Sequence, residues 1–315
     1  MSERKAIIVV GSINMDLVCR VRQMPAPGQT VLGGDLATVP GGKGANQAVA
    51  AARLGGRVKF VGRVGEDDFG SRLLNGLKQH GVNTAHVQIT EGVASGCAMI
   101  LVDGSGENSI VVSPGANGHV TPADIDAAED VIADAACVMV QLEIPTEAVV
   151  RACDLGRRHG VPVIVDPAPA PQQPLPRALL QADVLSPNET EAEALLQQAR
   201  DESGGDRLRD PKQIAANLLA AGPGMVLLKL GARGALAMTR DGQIEQVDCA
   251  RVQVIDTTAA GDAFTAGYAV GLSEGMSLQD RLRLASAAGT LTCTKFGAQP
   301  ALPLRAEVDR LIARQ

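Results

Sequence analysis

The sequence predicts an α/β protein with a central, mostly parallel sheet flanked by helices as a three-layer sandwich, and a small β-sheet lid. Two patterns predict this fold class. Short β-branched runs alternate with helix-length segments along the chain, which is typical of a parallel sheet with helices on both faces. Several runs are followed by glycine and polar residues, where such sheets bind ligands. With 315 residues, 45% of them hydrophobic, the chain can bury a large core.

The main-sheet predictions follow from apolar runs and helical periodicity, taken in chain order. Strands are predicted at 7–10, 58–61, 137–141, 161–165, 184–185, 225–230 and 252–255. The glycine-rich stretch 40–47 is predicted to start an alanine-rich helix that ends at 54. Further helices are predicted at 68–80, 121–134, 145–159, 189–199, 211–221, 263–272, 278–295 and 303–314. The segment 200–210 is charged and contains glycine, which predicts a surface loop.

The lid is predicted from two segments that alternate weakly and are interrupted by turns. Residues 17–39 contain proline and glycine turns, and residues 97–112 form a hairpin around Asp103-Gly104-Ser105-Gly106. We therefore predict one domain over residues 1–315, with a lid formed from about 17–39 and 97–112. A small exposed sheet has edges that benefit from pairing, so a homodimer through the lid is expected.

Composition excludes several classes of partner. The net charge is −6 and aromatic residues are 2% of the chain, which disfavours a nucleic-acid surface. The apolar run at 6–10 is too short for a signal peptide or a membrane span. Six scattered cysteines without a CxxC pair suit free thiols in a reducing compartment. We expect a cytoplasmic protein that binds neither nucleic acid nor membrane.

The most informative stretch is Asp256-Thr257-Thr258-Ala259-Ala260-Gly261-Asp262, between a predicted strand and a predicted helix. A helix N-terminus leaves backbone N–H groups unpaired, and its dipole favours an anion such as phosphate. The small residues let a phosphate approach the backbone. Asp262 beside such a site is explained if it is the general base for a hydroxyl that becomes phosphorylated. A helix cap with acids placed to suit the dipole explains the same residues, and the stretch alone leaves both readings open.

Other motifs are weaker or fail. Gly42-Lys43-Gly44 is not a Walker A loop, because Ala37 and Gly44 stand where that motif needs glycine and a hydroxyl residue. No G-x-G-x-x-G follows a predicted strand, which disfavours a nicotinamide cofactor. Gly271-Leu272-Ser273-Glu274-Gly275 matches a nucleophile elbow in letters but ends a predicted helix.

Polar residues follow several predicted strands. Asp166, Asn188 and Glu191 could hold phosphate or the waters of Mg²⁺, but as single residues they also suit helix caps. Glu143 follows a strand and precedes Pro145, which places it at the rim of the sheet. It could contact a ligand or face solvent.

Taken together, these motifs resemble those of the ribokinase-like (PfkB) sugar kinases over essentially the whole chain, and they occur in the family's order. The motifs are Gly11-Ser12-Ile13-Asn14-Met15-Asp16, Gly41-Gly42-Lys43-Gly44-Ala45-Asn46-Gln47-Ala48, Gln141-Leu142-Glu143, Asn188-Glu189-Thr190-Glu191, Leu230-Gly231-Ala232-Arg233-Gly234, the stretch 256–262, and Gly297-Ala298-Gln299-Pro300. Ala259, Lys229 and Ala301 depart from residues common at these positions in the family.

The resemblance implies ATP-dependent phosphorylation of D-ribose at O5, giving ribose 5-phosphate and ADP. Asp262 would be the base. The implied catalytic anion hole is formed by backbone amides of Ala259, Ala260, Gly261 and Asp262. The implied sugar-binding residues are Asn14, Asp16, Gly42, Lys43, Asn46, Glu143 and Asp262. A kinase for deoxyribose, fructose or a nucleoside, and a non-catalytic sugar sensor on a kinase fold, remain alternatives.

The resemblance also implies ATP, Mg²⁺ and a monovalent cation, K⁺, as cofactors. The implied nucleotide, phosphate and Mg²⁺ residues are Asn188, Glu191, Lys229, Gly231, Gly234, Gly261 and Ser286. The implied K⁺ loop, which would bind mostly through carbonyl oxygens, involves Asp256, Thr258, Thr292, Lys295, Gly297 and Ala301.

Overall fold

The computed structural model describes residues 4–198 and 210–314. The surface loop predicted over 200–210 therefore lies, apart from Asp210, outside the described residues. The strands are β1 (Ile7–Val10), β2 (Asn14–Arg20), β3 (Leu36–Gly41), β4 (Val58–Gly65), β5 (Asn83–Thr90), β6 (Gly96–Val102), β7 (Asn108–Ser113), β8 (Cys137–Val140), β9 (Val163–Val165), β10 (Val184–Leu185), β11 (Met225–Lys229), β12 (Ala235–Thr239) and β13 (Ile244–Val247). The α-helices are α1 (Lys43–Arg53), α2 (Asp68–Gln79), α3 (Pro122–Asp126), α4 (Glu129–Ala133), α5 (Thr146–His159), α6 (Arg177–Leu180), α7 (Glu189–Gln198), α8 (Pro211–Ala220), α9 (Ala260–Ser273), α10 (Leu278–Thr292) and α11 (Arg305–Ile312).

The central sheet confirms the predicted fold class. Within the described residues it has nine strands in the order β13-β12-β11-β10-β9-β8-β1-β4-β5. All neighbours from β5 to β11 pair in parallel, and β12 and β13 add an antiparallel edge. The strand order reverses at β1, which lies between β4 and β8. Crevices at such switch points are where open α/β sheets bind ligands.

The strand β1 shows why two helical layers form. Successive side chains of a strand point to opposite faces, and all four residues of β1 are buried. Ile7 and Val9 pack in one core with residues of α1, α9 and α10. Ile8 and Val10 pack in a second core with residues of α5 and α8. An apolar strand buried on both faces requires helices on both sides of the sheet.

The predicted lid is a separate four-stranded sheet with the order β3-β2-β6-β7. The strand β2 pairs antiparallel with β3 and parallel with β6, and β6 forms the predicted hairpin with β7. The chain passes from β1 into β2 after only three residues, so the lid begins directly at the switch point. Asn14 and Asp16 consequently lie on a lid strand.

Several element predictions are wrong. Residues 252–255 form no strand, and Val254 and Ile255 are 60% and 61% exposed. β-Branched residues favour extended backbone, but a strand also needs a neighbouring strand to pair with. The helix predicted over 121–134 is divided between α3 and α4. The strands β5, β12 and β13 were not predicted, because β5 is polar and partly exposed and β12 is rich in alanine.

Candidate active site

The N-terminus of α1 packs against the start of the lid. Gly42 caps the helix with φ +85°, and a Cβ atom there would lie 2.7 Å from the backbone nitrogen of Asn14. Only glycine combines this backbone conformation with so close an approach. The contact places Lys43 and Asn46, in the first turns of α1, beside the sugar-binding candidates on β2.

A second helix N-terminus converges on the same point. Ala259 adopts the left-handed conformation, with φ +60°, and α9 begins at the next residue. Asp262 lies in the first turn of α9 and is 6% exposed. Asn46 Nδ2 donates to Asp262 Oδ2 over 3.1 Å, and Gln47 Nε2 donates to Asp262 Oδ1 over 3.2 Å. The two glycine-rich motifs therefore meet at one carboxylate.

The predicted anion hole has unequal members. The N–H of Ala260 donates to the Thr257 carbonyl oxygen over 3.2 Å. Within the described part of the chain, the N–H groups of Ala259, Gly261 and Asp262 make no hydrogen bond. Three of the four predicted backbone donors are thus free for an anion, at the positive end of the α9 dipole.

Charged side chains surround Asp262 and change one another's ionisation. Burial, opposed by Lys43, raises the pKa of Asp262 to about 6. Burial, reinforced by Glu143 and Asp262, raises the pKa of Asp16 to about 7. Burial disfavours the Lys43 ammonium, but the surrounding carboxylates outweigh it and raise the pKa of Lys43 above its ordinary value. Carboxyl groups whose pKa values are raised toward 7, next to a lysine that stays charged, are typical of a functional site.

Glu143 lies at the N-terminus of α1 and is half-buried. Its Oε2 accepts hydrogen bonds from Ser12 Oγ at 2.5 Å and from the Lys43 backbone N–H at 3.0 Å. The carboxylate thereby pairs an otherwise free N–H group at the start of α1, and its negative charge interacts favourably with the positive end of the helix dipole. Glu143 faces the inside of the site, and Ser12 orients it.

Asn117 was missed by the sequence analysis. Its Nδ2 donates to Asn14 Oδ1 over 2.7 Å, and its Oδ1 accepts from the Ile13 N–H over 2.9 Å. Asn117 is 1% exposed and orients the amide of Asn14. It comes from a 3₁₀ turn in a segment without a recognisable motif, so nothing local in the sequence could have indicated it.

The candidate phosphate residues lie at the ends of β10 and β11. Asn188 and Glu191 exchange three hydrogen bonds of 2.8–3.0 Å at the start of α7. Burial raises the pKa of Glu191, although Lys229 opposes that effect. Lys229 Nζ lies 2.9 Å from Asp166 Oδ1 and 3.7 Å from where a Cβ atom of Gly261 would be. A mostly buried lysine side chain therefore lies next to the free N–H groups of α9.

The remaining nucleotide candidates are farther from these contacts. Gly231 and Gly234 form the 3₁₀ turn that follows β11. Ser286 is buried on α10, where its hydroxyl donates to the Asp248 carbonyl oxygen over 3.2 Å. The serine hydroxyl is therefore engaged with the backbone that follows β13.

The candidate cation loop is held together by Asp256. One carboxylate oxygen accepts from the Thr258 N–H at 2.9 Å and from Thr258 Oγ1 at 2.7 Å, and the other accepts from the Gly297 N–H at 2.9 Å. Asp256 thus joins the segment before α9 to the segment after α10. In the ranges described, no group of three or more His, Cys, Asp or Glu side chains is arranged to hold a metal ion.

The other side chains predicted for this loop have different partners. Thr292 Oγ1 donates to the Ala288 carbonyl oxygen in its own helix, and Lys295 pairs with Glu307. Ala301 is fully buried, and its side chain has no oxygen that could bind a cation. Lys295 and Ala301 could therefore bind a cation only through their backbone carbonyl oxygens.

A cleft of about 220 Å³ separates the lid from the cation loop. Asp16 and Ile100 line it from the lid, and Asp256 and Phe296 line it from the other side. The Arg20 guanidinium lies over the Phe296 ring, 5.2 Å from its centroid. The lid thus faces the cation loop across this cleft, and Asp16 is the sugar-binding candidate that lines it.

The family model for pfkB family carbohydrate kinases matches residues 4–305. The chain is 40% identical to the ribokinase of Bacillus subtilis, with 98% of this chain and 99% of the relative aligned. It is 34% identical to the deoxyribokinase of Salmonella typhimurium, with 94% and 95% aligned. A structure of Arabidopsis thaliana ribokinase complexed with ribose and ATP matches with a TM-score of 0.89 and 34% identity, covering 98% of this chain and 99% of that one. The chain therefore belongs to the pfkB family of carbohydrate kinases.

None of the helices described is long and apolar enough to cross a membrane.

Proposed function

We propose that this kinase transfers the γ-phosphoryl group of ATP to O5 of D-ribose, giving ribose 5-phosphate and ADP. The single observation that carries the proposal is the buried Asp262 carboxylate, held where the N-termini of α1 and α9 meet. Full-length similarity to ribokinases supports the choice of substrate. Similarity to a deoxyribokinase is lower, at 34% identity compared with 40%.

In the proposed reaction Asp262 accepts the proton of the O5 hydroxyl as that oxygen attacks the γ-phosphorus. The bond from phosphorus to the β-phosphate oxygen breaks, and ADP leaves. With a pKa of about 6, the Asp262 carboxylate is mostly ionised at pH 7 and is basic enough to accept a proton. The free N–H groups of Gly261 and Asp262 would stabilise charge on the transferring phosphoryl group.

Sugar binding is supported by an unsatisfied acceptor. Asn46 Oδ1 is buried and has no hydrogen-bond partner among the described residues. An unpaired buried acceptor is costly, so it suits a ligand that donates a hydroxyl. Asp16 on β2 and Glu143 at the N-terminus of α1 offer further acceptors. We assign the sugar hydroxyls to this set, with Asn14 completing it.

ATP brings several negative charges into a site that already holds five acids, Asp16, Glu143, Asp166, Glu191 and Asp262. The positive charges described next to these acids are the ammonium groups of Lys43 and Lys229. Mg²⁺ fits this imbalance, because it prefers carboxylate oxygens, phosphate oxygens and water. Glu191 and Asn188 would hold the ion through their oxygens, and the bound ion would neutralise phosphate charge.

We also propose a K⁺ site in the loop braced by Asp256 and a homodimer formed through the lid. The Asp256 carboxylate supplies negative charge, and its hydrogen bonds to Thr258 and Gly297 hold the loop closed. A cytoplasmic location remains a prediction, which the free thiols of the described cysteines suit.

The test is ADP release with ATP and Mg²⁺ over ribose, deoxyribose, fructose, a nucleoside and no sugar, each in K⁺ and in Na⁺. We expect the highest kcat/KM with ribose and stimulation by K⁺. A higher kcat/KM with another sugar would contradict ribose as the substrate. Equal rates in K⁺ and in Na⁺ would contradict the proposed K⁺ site. Sugar binding by calorimetry without ADP release from any sugar would favour the non-catalytic sensor.

A further inference from the structure

Gln47 lies behind the catalytic aspartate and has no role in the proposed reaction so far. Its side chain is fully buried on α1. Its Nε2 donates to Asp166 Oδ2 over 2.8 Å and to Asp262 Oδ1 over 3.2 Å, and its Oε1 accepts from Gln141 Nε2 over 2.6 Å. One amide therefore joins two buried acids and is itself held by a second amide.

The hydrogen-bond network determines which way the amide of Gln47 points. If its oxygen and nitrogen exchanged places, the oxygen would face two carboxylates and the nitrogen would face the Gln141 amino group. Both contacts would be repulsive. The observed orientation gives one N–H to each acid, and Gln141 keeps it from rotating.

We infer that Gln47 is a positioning residue for phosphoryl transfer, whose amide holds the Asp262 carboxylate apart from Asp166 and oriented toward the acceptor hydroxyl. The inference rests on the proposed function. Gln141 acts through Gln47, because its Nε2 contacts neither acid directly. The Asp166 carboxylate also accepts hydrogen bonds from Lys229 Nζ at 2.9 Å and from Thr265 Oγ1 at 3.3 Å.

The charged groups around Asp262 predict what loss of Gln47 does. Lys43 on α1 stabilises the ionised form of Asp262, whereas Asp166 after β9 opposes it. Asp16 on β2 has its own pKa raised by Asp262. Lys229 on β11 acts on Asp262 through its pair with Asp166. The Gln47 N–H stabilises the ionised form, so removing it raises the pKa of Asp262.

The experiment measures pH profiles of kcat and kcat/KM for the intact chain and for Gln47→Leu. We expect the acidic limb to move upward by about one pH unit, so that the rate at pH 6 falls roughly fivefold and recovers at pH 8–9. Gln141→Met keeps both N–H donors of Gln47 but removes the hydrogen bond that holds the Gln47 amide in place. It should move the acidic limb in the same direction, by a smaller amount. It also provides a test if Gln47→Leu fails to fold.

Thr265→Val is the matched control, because Thr265 contacts Asp166 and not Asp262. Its acidic limb should stay in place. An unmoved limb in Gln47→Leu and Gln141→Met, or a rate reduced equally at every pH, would overturn the inference.

A second readout does not depend on turnover. The carboxyl carbon of Asp262 can be followed by ¹³C NMR in aspartate-labelled protein and assigned by its loss in Asp262→Ala, which separates it from Asp16. Its titration midpoint should rise in Gln47→Leu. A raised midpoint in a chain that does not phosphorylate ribose would count against the proposed substrate but not against the role of Gln47. An unchanged midpoint in an active kinase would count against Gln47 alone.

Discussion

Asp256 and Asp262 lie six residues apart and meet opposite environments. Asp262 is buried among other charged groups, and burial raises its pKa to about 6. Burial also acts on Asp256, but hydrogen bonds from Thr258 and Gly297 outweigh it and lower the pKa of Asp256. A carboxylate with three donors already in place is a poor proton acceptor. The residue environment therefore supports Asp262 as base and Asp256 as a brace.

We predict that Asp262→Ala lowers kcat by a factor on the order of 10²–10⁴, because the O5 proton loses its acceptor. ATP affinity, measured by calorimetry, should remain close to that of the unmodified chain. Apart from Gly261 the nucleotide candidates lie on other elements, and the substitution keeps the backbone N–H groups of Gly261 and position 262. In the unmodified chain, kcat/KM should fall as the pH drops through about 6, where the carboxylate becomes protonated. Near-normal turnover of the variant would remove Asp262 from the mechanism.

At the scale of elements, the site depends on helices that approach very closely. The helices α9 and α10 are both rich in alanine and glycine and pack along their length. A Cβ atom on Gly267 would lie 2.9 Å from Ala285 Cα and 3.2 Å from the Leu284 carbonyl oxygen. Backbone atoms cannot give way as a flexible side chain can. This packing positions the N-terminus of α9, and with it Asp262.

We predict that Gly267→Ala lowers the free energy of unfolding by about 1–3 kcal/mol, because the added methyl group separates α9 from α10. Denaturant titration followed by circular dichroism measures this. Gly76→Ala on α2 is the control, since a Cβ atom there meets nothing within 4 Å. Because alanine favours a helix more than glycine does, Gly76→Ala should raise the free energy of unfolding by about 0.5–1 kcal/mol. Equal stability of the two variants would show that the helix contact is not limiting.

At the scale of the whole molecule, the lid has two unlike faces. The face with Asp16 and Ile100 lines the cleft between the lid and the cation loop. Strand register places Leu17, Met99 and Val111 together on the opposite face, where Met99 and Val111 are 47% and 61% exposed. Contiguous exposed apolar side chains of this kind mark interaction surfaces. They support the proposed homodimer.

We predict that the chain has twice its mass of 32.5 kDa in solution and that Val111→Asp makes it monomeric, because the charge would be buried against a second copy. Light scattering at assay concentration measures the mass. Ile89→Asp on the edge strand β5 is the matched control: it is 56% exposed but lies outside the lid, and it should leave the dimer intact. A monomeric unmodified chain would contradict the proposal.

The sequence by itself determined the fold class and the two helix starts that meet in the site. Each rests on a local signal: the buried run of β1, the glycine at position 42, and the small residues before Asp262. It also identified the lid, because alternation with turns is a property of each segment alone. The strand predicted at 252–255 was wrong, because pairing needs a neighbour that the local pattern does not report.

Only the tertiary structure decided which polar side chains meet. Gln47 and Asp262 are 215 positions apart, and Asn117 and Asn14 are 103 apart. Local patterns report what a segment buries or exposes, whereas partners across the chain depend on how whole elements pack. The bond from Gln47 to Asp262 exists because α1 and α9 bring their N-termini to the same edge of the sheet, and no property of either helix alone specifies that meeting.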